Sequence, residues 1–245
     1  MRLLNAFHVF YATLVRHTLH YLWTALATFV CLPFAVLGLR AGSAFVARVW
    51  ATGLFWTVFR RLHVVGREHV VPGRRYLVVL NHTSLYDIPA LMSVLPRVAW
   101  LGRAHLLRIP VFGFVLGRID YVAVYPGDRA RSQEALAQAV AKSPHASVAI
   151  FPEGTRTLDG RLGPFKKGFT YLVRDTDLEV LPVTVHGLYS WCPKGRSLMT
   201  PRERVTLVLH TPMSNTSLRT LDTEEMMRQV RDAVGTGLER AEDSP

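Results

Sequence analysis

Apolar and polar positions divide the chain into two unequal parts. From His17 to Leu39, 23 residues pass without an Asp, Glu, Lys or Arg. As a helix, a run of that length crosses a hydrocarbon core of roughly 30 Å. A second apolar stretch, residues 43–59, is broken only by Arg48, and Gly38 to Gly42 offers a bend between the two. The pattern predicts an N-terminal apolar helical hairpin over residues 1–61. Pro33 argues against a straight spanning helix. A pair lying shallowly in one leaflet, or a helical pair inside a globular core, has the same periodicity. The run is long and no small-residue cleavage site follows it, so a cleaved signal peptide is not expected.

After Arg61 the period changes. Short β-rich runs appear at 62–66, 76–80, 97–102, 121–125, 147–151, 179–187 and 204–210. Helical spacing falls between several of them, most clearly at 128–142 and 221–240, where Asp222 or Thr223 can cap the last helix. Strands alternating with helices predict an α/β fold with a mixed, mostly parallel sheet flanked by helices, preceded by the hairpin. The α/β domain is expected over 62–240, with 241–245 as a loose tail. Met226 and Met227 are expected in the core of the last helix.

Charge narrows the partner. The net charge is +11, which suits an anionic surface or charged metabolites. The first acidic residue is Glu68; seven arginines and twelve of the 25 aromatic residues precede it. Arginine interleaved with aromatic and aliphatic residues fits a lipid interface, and no zinc-finger or RNA-recognition motif is present, so no nucleic acid is expected. Arg2 and Arg16 precede the first apolar run, and Arg60 and Arg61 close the second. Both outer ends are therefore expected on the cytoplasmic face of the inner or plasma membrane. Cys31 and Cys192 are far apart and lack CxxC spacing, so neither a disulfide framework nor a zinc site is expected.

Two polar clusters follow strands, where α/β folds gather functional residues. The first is Asn81-His-Thr-Ser-Leu-Tyr-Asp87. Residues five apart on a helix are about 140° apart, so His82 and Asp87 meet only if a turn separates them. Pro89 places the helix start at Ser84 to Asp87. A neutral imidazole so placed can take a proton from a hydroxyl, with the carboxylate fixing its tautomer. Ser84-x-x-Asp87 also matches a capping box, in which Asp87 would serve backbone amides instead. The second cluster is Phe151-Pro-Glu-Gly-Thr-Arg156. Gly154 allows a tight loop whose amides meet an anion, Arg156 offers a fork of donors to phosphate, and Glu153 can orient that arginine or bind a hydroxyl. An ordinary surface turn reads the same way. His105, His186 and His210 are isolated, with no metal-ligand spacing.

Taken together, the two clusters resemble the glycerolipid acyltransferase family, whose best-known members are the lysophosphatidic acid acyltransferases. Leu181-Pro-Val183 and the block 102–113, with Arg103, Pro110 and Gly113, are similar to further family blocks across roughly residues 60–210. His105 stands where an acid is usual, and Tyr125-Pro126 stand near the place of a family arginine. The resemblance implies an O-acyltransferase of the 1-acylglycerol-3-phosphate type, moving a fatty acyl group from acyl-CoA or acyl-carrier protein to a hydroxyl of a lysophospholipid. It implies His82 as general base with Asp87 as partner. Glu153, Gly154, Thr155, Arg156 and Arg103 would bind substrate, without metal or cofactor. A membrane hydrolase using the same pair with water, or a transferase for another lipid acceptor, shares these residues. The absence of a G-x-S-x-G elbow argues against a serine lipase. Amides near 84–87 are candidate oxyanion donors.

Overall fold

A computed structural model describes residues 2–95, 97–119, 121–124, 134–135, 137, 146–196, 201 and 203–242. Seven strands form one sheet: β1 (Leu62–Val65), β2 (Tyr76–Leu80), β3 (Val98–Arg103), β4 (Tyr121–Val124), β5 (Ser147–Ile150), β6 (Glu179–His186) and β7 (Val205–Leu209). Their order is β1-β7-β6-β2-β5-β3-β4, and every described pairing is parallel except β6 with β7. All seven runs expected as strands are strands, within a residue or two at each end.

Central β2 is apolar throughout because both its faces are covered. Tyr76, Val78 and Leu80 point into one core with Leu91, Leu181, Val183, Trp191 and Leu207. Leu77 and Val79 point into the other with Phe169, Val173, Val180, Met226 and Val230. The first face carries α3 (Asp87–Val94) and the short α6 (Leu188–Trp191), while α4 (Phe112–Leu116) packs through Val115 with Cys31, Ala35 and Val46. The second carries α5 (Gly168–Asp175), α7 (Asn215–Arg219) and α8 (Thr223–Glu242). Met226 and Met227 are core residues of α8. That helix runs through Glu242, so residues 241–242 are helical rather than loose. The helix expected over 128–142 lies outside the described residues except at 134, 135 and 137, which are helical. Tyr125 and Pro126 also lie outside them.

The hairpin is present as α1 (Arg2–Val36) and α2 (Arg40–Trp56). Its bend is tighter than expected: Gly38 takes φ 69° and α2 resumes at Arg40. Gly42 does not turn the chain. It sits inside α2 against the Phe34 ring, where a Cβ would come within 2.2 Å of a ring carbon. Gly53 plays the same part beside Trp23, which would lie 2.4 Å from a Cβ. The indoles lock this contact, with Trp23 Nε1 donating to Trp50 O at 2.9 Å and Trp50 Nε1 donating to Thr24 Oγ1 at 3.1 Å. Pro33 lies inside the last turn of α1, where it leaves the Phe29 carbonyl without its i+4 donor and the helix ends three residues later.

One side of the hairpin packs on the domain through Ala51, Leu54 and Phe55. The other is apolar and exposed: Tyr21 is 72% accessible, Phe29 64%, Phe45 68% and Trp56 67%. A helical pair buried inside a globular core would not leave these rings open. Residues Thr13–Val36 are long and apolar enough to cross a membrane. Gly53→Ala should force Trp23 out of its groove and lower stability by about 1–3 kcal/mol. Unfolding in detergent measures this, with Gly168→Ala, which meets nothing within 4 Å, as the control.

Candidate active site

The turn after β2 answers the question raised by the spacing of His82 and Asp87. Helix α3 starts at Asp87, so His82 stays in the loop and the carboxylate points back at it. His82 Nδ1 lies 2.9 Å from Asp87 Oδ2. The same oxygen accepts from Thr83 N at 2.6 Å and Ser84 N at 2.8 Å, and Oδ1 accepts from Thr83 Oγ1 at 3.0 Å. The carboxylate therefore serves the amides of the turn and the histidine at once, although no side-chain bond caps α3 itself. Asp87 is fully buried while His82 keeps 16% of its side chain accessible. The ring lies flat on Phe151, centroids 3.8 Å apart. With a carboxylate on Nδ1 the proton belongs there, which leaves Nε2 as the basic nitrogen.

The second cluster is built around Glu153. Its Oε1 accepts from His82 N at 2.8 Å and its Oε2 from Gly163 N at 2.9 Å. The carboxylate therefore ties three segments: the His82 turn, its own loop and the stretch before α5. Thr157 N donates to His82 O at 2.9 Å and closes the junction. Burial raises the Glu153 carboxyl above its usual range, against the lowering effect of those two amides. The expectation that Glu153 orients Arg156 is corrected: its oxygens hold backbone. Gly154 adopts φ 70°, the left-handed conformation its loop requires. Thr155 is exposed and Arg156 half-buried. Arg103 ends β3, and its side chain lies outside the described residues.

Three features escaped the sequence reading. Asn81 staples β2 to β6, donating to Val185 O at 2.9 Å and accepting from Val185 N at 2.8 Å. Lys194 reaches the second cluster, its Nζ donating to Thr155 Oγ1 at 2.8 Å. The hairpin also roofs a cavity of about 570 Å³ beside the histidine turn. Its wall includes His20, Trp50, Tyr86, Trp100, Val115 and Cys192. Trp100 Nε1 is buried without a hydrogen-bond partner. Burial pushes the Cys192 thiol up despite the nearby Arg156, so it is a poor thiolate. His210 is a core residue bonded to Thr184 Oγ1 at 2.8 Å. The amides considered for an oxyanion are mostly committed: Ser84 N to Asp87, Tyr86 N to Ser84 Oγ and Asp87 N to Ser84 O. Leu85 is left from that stretch.

An imidazole backed by a buried carboxylate thus stands at the end of a parallel strand, beside an apolar cavity. Residues 61–186 match the family model described as Acyltransferase, and the chain belongs to that family. A chloroplastic 1-acyl-sn-glycerol-3-phosphate acyltransferase from Brassica napus is 30% identical over 69% of this chain and 49% of its own length. The chain thus spans about half of that relative. The enzyme of the same description from Pseudomonas aeruginosa is 28% identical over 71% of this chain and 68% of its own. The crystal structure of the 1-acyl-sn-glycerophosphate (LPA) acyltransferase PlsC from Thermotoga maritima superposes with a TM-score of 0.79, at 26% identity, covering 96% of this chain and 99% of that one.

Glu153→Ala should leave the amides of His82 and Gly163 without acceptors and cost about 2–5 kcal/mol. Glu153→Gln keeps one acceptor and should cost about half as much. Denaturant titration of both variants checks the order.

Proposed function

We propose that this protein is a membrane-associated O-acyltransferase that transfers a fatty acyl group from a thioester, acyl-CoA or acyl-carrier protein, to the free hydroxyl of lysophosphatidic acid, giving phosphatidic acid. The observation that carries the reading is the 2.9 Å contact between His82 Nδ1 and a buried Asp87. It supports His82 Nε2 as the base that takes the acceptor's proton as the hydroxyl oxygen attacks the thioester carbonyl. The tetrahedral adduct then breaks its C–S bond, and the proton on Nε2 passes to the leaving thiolate. Asp87 stabilises the imidazolium in between. The donor is already activated, so the proposed step uses neither a covalent enzyme intermediate nor a metal or cofactor.

The cavity supports an acyl chain. It runs under α1 from His17 to Cys31, about 21 Å at 1.5 Å per residue. An acceptor on a bound substrate would also satisfy Trp100 Nε1. Arg156, with Lys194 at Thr155, supports an anionic group on the acceptor held by Gly154, Thr155 and Arg156. The exposed apolar side of the hairpin supports attachment to one face of a membrane, with the outer arginines favouring the cytoplasmic face.

His82→Ala should lower the turnover of acyl-CoA with lysophosphatidic acid by about 10²–10⁴-fold. Asp87→Asn should lower it by a similar order, because an amide no longer fixes the proton on Nδ1. Mass spectrometry of the lipid product together with thiol release measures both. Thiol release with free fatty acid, and no diacyl lipid, would instead support a hydrolase.

A further inference from the structure

At the bend of the hairpin, four arginines from three segments surround a small niche. Arg40 and Arg48 come from α2, Arg97 precedes β3 and Arg118 follows α4. The remainder of the described wall is apolar, and it contains no Asp or Glu. Arg48 donates to Ser93 O at 3.3 Å, and Arg118 lies 4.9 Å over the Phe114 ring. Among the described residues, Arg48, Arg97 and Arg118 form no ion pair. Guanidiniums gathered in this way repel one another unless an anion joins them.

The location separates this niche from the active site. Arg97 lies at the start of β3, whereas His82 lies at the end of the parallel β2, so the two sit at opposite ends of the sheet. Ala47, Met92 and Ile119 line both the niche and the far end of the cavity. The niche is small, about 30 Å³. That suits a phosphoryl group seated at the mouth and leaves no room for a nucleotide. The nearby surface is apolar: Leu37 is 70% exposed and Leu39 51%, just before Arg40, and Phe45 on α2 is 68% exposed. A soluble phosphate metabolite has no use for such surroundings, whereas a lipid headgroup brings its own acyl chains to them.

We propose that the Arg40–Arg48–Arg97–Arg118 niche seats the phosphate of an anionic membrane phospholipid, as a second headgroup site distinct from the catalytic one. This rests on the reading of the hairpin as membrane-embedded. Occupancy fixes the bend at the headgroup level and holds the cavity's far end in register with the leaflet.

The test compares full-length wild type, Arg97→Gln/Arg118→Gln and, as a charge-matched control, Arg67→Gln/Arg74→Gln. Flotation with phosphatidylcholine vesicles reports the hairpin alone. Vesicles that also contain phosphatidic acid report the niche. Wild type should gain affinity on the anionic vesicles. The Arg97/Arg118 variant should lose roughly tenfold of that gain, and the control much less. All three should bind neutral vesicles alike and remain folded in detergent, with the Arg97/Arg118 variant no less stable than wild type. Equal losses in the variant and the control would reduce the effect to diffuse charge and overturn the proposal. Failure of every form to bind neutral vesicles would count against the membrane reading itself. In detergent, stabilisation by dihexanoyl phosphatidic acid that is larger in wild type than in the Arg97/Arg118 variant, and is not reproduced by inorganic phosphate, supports a lipid source at the niche rather than product binding at the catalytic site. Stabilisation by inorganic phosphate alone assigns the niche to the free anion and overturns the lipid assignment.

Discussion

A carboxylate taken out of water is costly unless its oxygens are met, and Asp87 is fully buried. Its two oxygens contact the Thr83 and Ser84 amides, the Thr83 hydroxyl and His82 Nδ1. Those contacts do two things at once. They fold the chain between β2 and α3 into its turn, and they orient the imidazole. A single charge thus couples local folding to the proposed chemistry. The charge is tolerated there because all four of these partners are supplied within five residues by the turn it stabilises.

Glu153 extends the same arrangement across the sheet. It holds the His82 amide from a loop 71 residues away and the Gly163 amide ten residues further on. The Asn81 staple to Val185 does likewise between β2 and β6. Buried polar side chains spent on backbone make the end of the sheet rigid without spending any of the exposed cations. Arg156 and Lys194 therefore remain at the surface of that junction, where an anionic acceptor would meet them. Above it the hairpin supplies what the domain lacks, an apolar roof that continues toward exposed aromatic residues.

The sequence made the strands legible because each is a short β-rich run with a clear break, and β2 and β6 are apolar on both faces. The His82–Asp87 meeting was also legible, since Pro89 limits where the helix begins. Whether Asp87 would serve backbone amides instead was not resolvable from spacing, because both interactions use the same oxygen. Glu153 was misread for a different reason. Beside Arg156 it looks like a local ion pair, and only the closed fold brings distant amides to it. Gly42 looked like a bend because glycine permits turns, whereas its lack of a side chain serves packing against Phe34. The arginine niche is spread over residues 40–118 and has no signature along the chain.

The central claim is that Asp87 holds the proton of His82 on Nδ1 and leaves Nε2 free as base. The most direct test is nitrogen NMR of the imidazole in 15N-histidine-labelled protein in detergent micelles, with His82 assigned by its loss in His82→Ala. At neutral pH the account predicts a protonated Nδ1 and an unprotonated Nε2, with the Nδ1 proton strongly deshielded and that signature absent in Asp87→Asn. A proton on Nε2, or free exchange between tautomers in the wild type, would contradict it.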